Sequence, residues 1–391
     1  MKLAHIVGAR PQLIKLAAVS RAVAEHNKQV THGGHIEELI IHTGQHYDYG
    51  MSAVFFEELG IPEPDWNLGV GSGGQGEQTG EMLERIEPIL LEQRPDLVLV
   101  YGDTNSTLAG ALAAAKLSLP VAHVEAGLRS FNRRMPEEIN RVLTDHLSTI
   151  LFCPTELAVK NLRKEGFANI AYEGRLSPLE GLEVTCSAED PLVVNVGDVM
   201  FDSILHHLKL GEGRSEILQR LGLEAGGYYL ATVHRAENTN EPRRLAEIFS
   251  AFAELAAGGR EVVCPLHPRT RKALAELALG GWPPKLRLIE PVSYLEMLLL
   301  EENAPMILTD SGGVQKEAFI LRKPCVTLRG ETEWAETVEA GWNTLAGADR
   351  GAILRAVERF ERRRPGEPEV HPYGDGRAGA RIAKLIAASL S

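Results

Sequence analysis

The sequence predicts an α/β protein built of two Rossmann-like, doubly wound units. Three observations carry that expectation. Short, continuous apolar runs alternate with helical patterns, the mark of parallel sheets covered on both faces. The runs fall into two series, separated by a stretch rich in Pro, Gly and charge at Tyr172–Val196. The length of 391 residues suits two domains better than one. In order, the first series places strands at Leu3–Val7, Leu39–His42, Leu97–Tyr101, Val121–Val124 and Ile150–Cys153. Helical patterns such as Ser106–Lys116 and Glu137–Leu147 lie among them. The second series runs Tyr229–Val233, Glu261–Leu266, Leu286–Ile289, Met306–Thr309 and Pro324–Leu328, and Gly376–Leu390 reads as a terminal helix. These boundaries give a first domain over 1–185, a second over 186–370 and a terminal segment over 371–391. Two such units would leave a cleft between them, a common place for a ligand.

Composition excludes several classes. Lys and Arg number 41 against 53 Asp and Glu, a formal net charge of −12, and without a basic tract that is a poor match to nucleic-acid phosphates. A hydrophobic content of 44% fills cores and argues against disorder. No apolar run approaches the roughly 18 residues of a membrane span. The start, Met1-Lys2-Leu3-Ala4-His5-Ile6-Val7-Gly8, reads as a first strand rather than a signal peptide. Cys153, Cys186, Cys264 and Cys325 are scattered without a Cys-x-x-Cys, so reduced cysteines are expected, three of them buried beside apolar runs. The expectation is a cytoplasmic protein with neither a nucleic-acid nor a membrane partner.

In open parallel sheets, ligands bind beyond the carboxyl ends of the strands. The unusual residues of this chain fall on those edges. The first series is followed by Gly8-Ala9-Arg10-Pro11 with Lys15, by His42-Thr43-Gly44-Gln45-His46, by Gly102-Asp103-Thr104, and by Glu125-Ala126-Gly127-Leu128-Arg129. The second is followed by His234-Arg235-Ala236-Glu237-Asn238, by His267-Pro268-Arg269, and by Asp310-Ser311-Gly312-Gly313. Pro11 suits the first position of a helix. Lys15 then lies near the positive end of the helix dipole, where a cation is disfavoured unless an anion is present. Ser311, Gly312 and Gly313 resemble a strand-to-helix phosphate turn, with Glu317 six residues past Ser311 and able to accept from ribose hydroxyls. Asp103, Glu125 and Glu137 are candidate acids or bases, with Arg141 one turn beyond Glu137 and on the same side. His234 and His267 end strands, where they can relay a proton or bind phosphate. No pair has the spacing of a metal site. Gly69-Val70-Gly71-Ser72-Gly73-Gly74 formally matches the dinucleotide fingerprint but follows no convincing buried strand. It reads as a glycine loop, and bound NAD is not expected.

Taken together, and in order from residue 3 to about 345, these motifs resemble the non-hydrolysing UDP-N-acetylglucosamine 2-epimerases. Pro136-Glu137-Glu138-x-Asn140-Arg141 and His234-Arg235-x-Glu237-Asn238 belong to the same match. The resemblance implies a GT-B-type fold with a C-terminal helix returning to the first domain, a homodimer, and interconversion of UDP-GlcNAc and UDP-ManNAc without a cofactor. It implies Asp103, Glu125 and Glu137 as the acid/base set, with His234 assisting. It further implies Arg10, Lys15, Arg141, His267, Ser311, Gly312, Gly313, Glu317 and Arg329 as contacts of the UDP-sugar. Two departures stand out. His46 is followed by Tyr47-Asp48-Tyr49, and Glu77-Gln78-Thr79 stands where substrate-activated members carry Arg-Gln-Thr, so little substrate activation is expected. The same variant also resembles relatives acting on UDP-2,3-diacetamido-glucuronate, an alternative substrate. A GT-B glycosyltransferase is the alternative of another class.

Overall fold

The computed structural model describes the chain except for residues 31–33, 46–55, 57–59, 182–184, 212–215, 278–280, 367–370 and 390–391. The motif positions His46 to Tyr49 therefore lie outside the described residues. The chain divides into two units, residues 1–203 with 371–391, and residues 204–370.

The first unit holds a seven-stranded parallel sheet: β1 (Lys2–Val7), β2 (Glu37–His42), β3 (Trp66–Asn67), β4 (Leu97–Tyr101), β5 (Val121–Val124), β6 (Ile150–Cys153) and β7 (Leu192–Asn195). Their spatial order is β3-β2-β1-β4-β5-β6-β7. The four strands from β4 to β7 are buried along their whole length, as strands covered on both faces must be. Ala4, Ile6, Val98 and Val100 pack with Met82, Ile86 and Leu90 of the Gln75–Gln93 helix. Each such large aliphatic side chain contributes roughly 1.5–3 kcal/mol when fully buried.

Strand β7 corrects the expected division at 185/186. Its Leu-Val-Val-Asn falls inside the expected linker, because Pro, Gly and charged residues flank it. It pairs with β6 along its whole length, so the first unit extends to Ser203. The Arg10–Gln29 helix begins one residue before the expected Pro11, which stands at its second position, and has no acidic residue in its first turn. The side chain of Gln12 replaces a cap. Its Oε1 accepts from the N–H groups of Gly8 (2.8 Å) and Ala9 (2.9 Å), while its Nε2 donates to the Tyr101 carbonyl (2.9 Å). The Ala378–Ser389 helix packs on Arg10–Gln29, and Asp202 accepts from the N–H groups of Ala378 (3.1 Å) and Gly379 (2.8 Å). Residues 371–391 thus belong to the first unit.

The second unit holds a six-stranded parallel sheet: β8 (Tyr228–Thr232), β9 (Glu261–Pro265), β10 (Leu286–Ile289), β11 (Ile307–Thr309), β12 (Cys325–Thr327) and β13 (Asn343–Leu345). The order is β10-β9-β8-β11-β12-β13. One face is covered by Leu245, Ile248, Phe249 and Phe252 with Ile353, Val357 and Phe360, and the other by Ile217, Leu300 and Ala318. Cys153, Cys264 and Cys325 are buried and free, and Cys186 is partly buried and free. Among the described residues, no helix is long and apolar enough to cross a membrane.

Both sheets reverse their winding at one point, between β1 and β4 in the first and between β8 and β11 in the second. The carboxyl ends of strands at such a reversal are where open parallel sheets take ligands.

Candidate active site

In the first unit, the β1 and β4 ends carry Lys15 and Asp103. Lys15 Nζ donates to Glu125 Oε1 at 2.6 Å, with 8% and 9% of the two side chains exposed. The anion that the sequence required beside Lys15 is, in this structure, the carboxylate of Glu125, which follows β5. Arg10 is exposed in the first turn of the same helix. Asp103 accepts from Arg141 Nη2, and its side chain is 29% exposed. Asn140 Nδ2 donates to the Asp103 carbonyl at 3.0 Å, fixing the backbone there.

The same helix sets Glu138 against Arg141. Arg141 Nη1 donates to Glu138 Oε2 at 2.8 Å, and Glu137 is only partly buried. Both spacings bring side chains together on a helix. The loop before the helix decides between them. Glu138 also accepts from Ser130 N–H (2.9 Å), Ser130 Oγ (2.9 Å) and Phe131 N–H (2.9 Å). Burial alone would raise the Glu138 carboxyl. The Ser130 donors, Arg141 and the Phe131 N–H outweigh burial and hold it below the usual carboxylate range.

Asp145 is likewise held low against its burial, by His123 and Arg129. For both acids the folded-state value lies below the unfolded one, so their stabilisation is present above the ordinary carboxylate value and is lost as pH falls through the folded value. Stability should therefore fall on acidification below about pH 4. Denaturant midpoints measured against pH check this, and a profile flat through that range would contradict it.

In the second unit, Asp310 is fully buried at the end of β11. It accepts from the N–H groups of His234 (3.0 Å) and Arg235 (3.0 Å) and from Asn238 Nδ2 (3.0 Å). It thereby fastens the loop after β8 to the turn after β11. Asp310→Ala would strip the partly buried His234 and Arg235 N–H groups of their acceptor and leave Asn238 only the Leu328 carbonyl, at a cost of about 3 kcal/mol. A urea midpoint unchanged by that substitution would contradict this account. His234 Nδ1 lies 3.5 Å from Asp310 Oδ1. Burial is the main cause that lowers the His234 imidazole below its ordinary value, with Asp310 opposing and nearby cations assisting. The His267 ring centroid is 6.1 Å from that of His234, and His267 itself is exposed.

Ser311 caps the Gly312–Ile320 helix, its hydroxyl accepting from Val314 N–H. A Cβ on Gly312 would lie 2.3 Å from Glu333 Oε1, so any side chain there would displace that carboxylate. The Glu333 carboxylate thus stands at the first residue of the helix, and its Oε2 lies 3.1 Å from Arg329 Nη1. Arg329 is 4% exposed and also lies 3.5 Å from Glu237. A negative group held at this helix start shows that the place suits an anion. Gly313 is exposed and Glu317 buried. Glu301 beside Glu317 has its carboxyl pushed well up, by burial first and then by Glu317. Among the described residues, no group of three or more His, Cys, Asp or Glu is placed to hold a metal ion.

The structure brings Lys15, Asp103, Glu125 and Arg141 together in the first unit, and His234, Ser311, Gly312 and Arg329 in the second. It adds Glu138 and Glu333, which sequence reasoning passed over. The only signals for them were the doubled glutamate after Pro136 and the four-residue step from Arg329.

Two doubly wound α/β units make up the chain, with acid–cation pairs at the switch point of one and a carboxylate at a helix start at that of the other. A family profile described as UDP-N-acetylglucosamine 2-epimerase matches residues 28–387. A Methanococcus maripaludis protein named UDP-N-acetylglucosamine 2-epimerase homolog is 51% identical over 390 residues, covering 99% of each chain. The UDP-2,3-diacetamido-2,3-dideoxy-D-glucuronate 2-epimerase of Pseudomonas aeruginosa is 48% identical over 388 residues, with the same coverage. The solved UDP-GlcNAc 2-epimerase of Methanocaldococcus jannaschii, in complex with UDP-GlcNAc and UDP, superposes with a TM-score of 0.83 at 45% identity over 99% of each chain. The chain belongs to the UDP-N-acetylglucosamine 2-epimerase family, and is an isomerase.

Proposed function

We propose that the chain interconverts UDP-GlcNAc and UDP-ManNAc by elimination and re-addition of UDP. The observation that carries this reading is the pair of carboxylates at the first unit's switch point, Asp103 and Glu125, each set against its own cation. The hydrogen on C2 is too weakly acidic for simple deprotonation. In the reaction, a carboxylate takes the C2 proton, the electron pair forms the C1=C2 bond, and the C1–O bond breaks with its pair leaving on UDP. A proton returned to the other face of C2, with UDP re-adding at C1, completes the inversion. Glu137 completes the acid/base set in this reading, Arg10, Lys15 and Arg141 serve the sugar and its phosphates, and His234 and His267 stand beside the departing charge. The Gly312 helix start, Gly313, Ser311 and Arg329 receive the diphosphate, and Glu317 the ribose. Preorganised donors aimed at charge that develops in the transition state are commonly the largest catalytic contribution. No cofactor is assigned. A homodimer and a cytoplasmic setting belong to the same proposal and rest on the family.

The alternative sugar has a specific observation in its favour. Identity to the P. aeruginosa diacetamido-glucuronate enzyme is 48%, against 44% to the UDP-GlcNAc 2-epimerase of M. jannaschii. Incubation of the purified chain with each UDP-sugar separately, followed by anomeric proton signals, tests the choice. Accumulation of the manno product from UDP-GlcNAc at the higher kcat/KM supports the first reading. Conversion of the uronate alone would replace it.

A further inference from the structure

Behind the Asp103 turn lies a buried charged cluster that the reaction as described does not use. His123, on β5, is fully buried. Its Nδ1 lies 2.7 Å from Asp145 Oδ1, and its Nε2 lies 2.7 Å from the carbonyl oxygen of Gly102. A peptide carbonyl has no proton to give, so Nε2 must donate. The other Asp145 oxygen accepts from Gly127 N–H (3.1 Å) and the charged Arg129 Nη1 (2.7 Å), which favours the carboxylate form of Asp145, and to a carboxylate Nδ1 donates too. We infer that His123 is held as a doubly protonated imidazolium that clamps the Gly102 peptide and so positions Asp103.

The charges around the ring agree. Arg129 Nε and Nη2 donate to the two oxygens of Glu165 at 2.7 and 2.6 Å. Arg129 and His123 are then balanced by Asp145 and Glu165. A neutral His123 would leave the fully buried Asp145 to share Arg129 with Glu165, which is costly. The remaining groups facing the cluster are Cys153 of β6, which is buried, and His146, whose Nε2 lies 3.5 Å from Glu165.

The clamp reaches the proposed chemistry through Gly102. That residue has φ +63°, and a Cβ on it would lie 3.0 Å from Lys15 Nζ and 3.7 Å from Glu125 Oε1. Its backbone is packed against the Lys15–Glu125 pair, and the next residue is Asp103. Fixing the Gly102 carbonyl therefore fixes the direction from which Asp103 leaves β4. His123 touches neither sugar nor phosphate in this scheme and is a positioning residue. The functional half of the inference rests on the proposed epimerisation, and the charge state of the ring does not.

The test has two arms. In the unliganded chain labelled with 15N-histidine at neutral pH, the His123 ring, assigned by its loss in a substituted chain, is expected to show both nitrogens protonated. A single ring proton would overturn the inference. In the kinetic arm, His123→Gln keeps a donor near the Nε2 position, while His123→Asn keeps one only near Nδ1. H123N should lose on the order of 10²-fold in kcat with KM little changed, as expected when a reacting group is displaced by about 1 Å. H123Q should retain most of the turnover. Equal losses in the two variants, or near-normal kcat in H123N, would overturn the positioning role. Should H123N not fold, H123Q still decides, since a loss there as large as 10²-fold contradicts a clamp acting through Nε2. Absence of epimerisation in the unsubstituted chain would instead overturn the reading of the reaction, an outcome distinct from either ring result.

Discussion

Asp103→Asn is expected to lower turnover on the order of 10³-fold, while the dissociation constant for UDP stays within a few-fold. The substitution preserves size but replaces an oxygen that can take a proton with an amide that cannot. Its remaining oxygen can still accept from Arg141, so the side chain keeps its place. Of the residues assigned to UDP, Ser311, Gly312 and Arg329 belong to the second unit and are untouched, so most of UDP binding separates from chemistry. Single-turnover rates and calorimetric UDP titrations check the two halves. Near-normal turnover would remove Asp103 from the reacting set.

Gly127→Ala should cost about 3 kcal/mol or more, enough to consume much of a domain's stability. Two independent effects add at this position. Gly127 has φ +79°, where a Cβ is strained. The added carbon would also lie 2.5 Å from the Ala158 carbonyl oxygen, part of a helix backbone that cannot swing aside. The Gly127 N–H donates to Asp145 and its carbonyl accepts from Asn161 Nδ2 (3.0 Å), so a shift would also disturb the charged cluster beneath the site. Chemical denaturation of the variant checks the magnitude, and a loss under 1 kcal/mol would show that the turn can relax.

The alternation of buried runs and helical stretches was legible because a strand covered on both faces is a continuous apolar run. Strands β4, β5 and β6 stand where that pattern puts them. Strands β3 and β13 were not legible, since two or three half-exposed residues at a sheet edge carry no periodicity. Strand β7 was hidden by its surroundings rather than its own residues. The motif edges were readable for the same reason as the strands, because the ends of parallel strands are where polar clusters are conspicuous. What the sequence could not show is partnership over long separations. Lys15 finds Glu125 across 110 residues, and Asp145 joins His123 and Arg129 across 22 and 16. The choice of Glu138 over Glu137 depends on amides of a loop whose path only the folded chain displays.

The most direct test of the proposed chemistry is proton exchange at one carbon. The unsubstituted chain is incubated with UDP-GlcNAc in heavy water and the products are read by NMR. Elimination and re-addition predict a manno product carrying deuterium at C2. A manno product that keeps its original C2 hydrogen, or UDP released without any C2 inversion, would contradict the account.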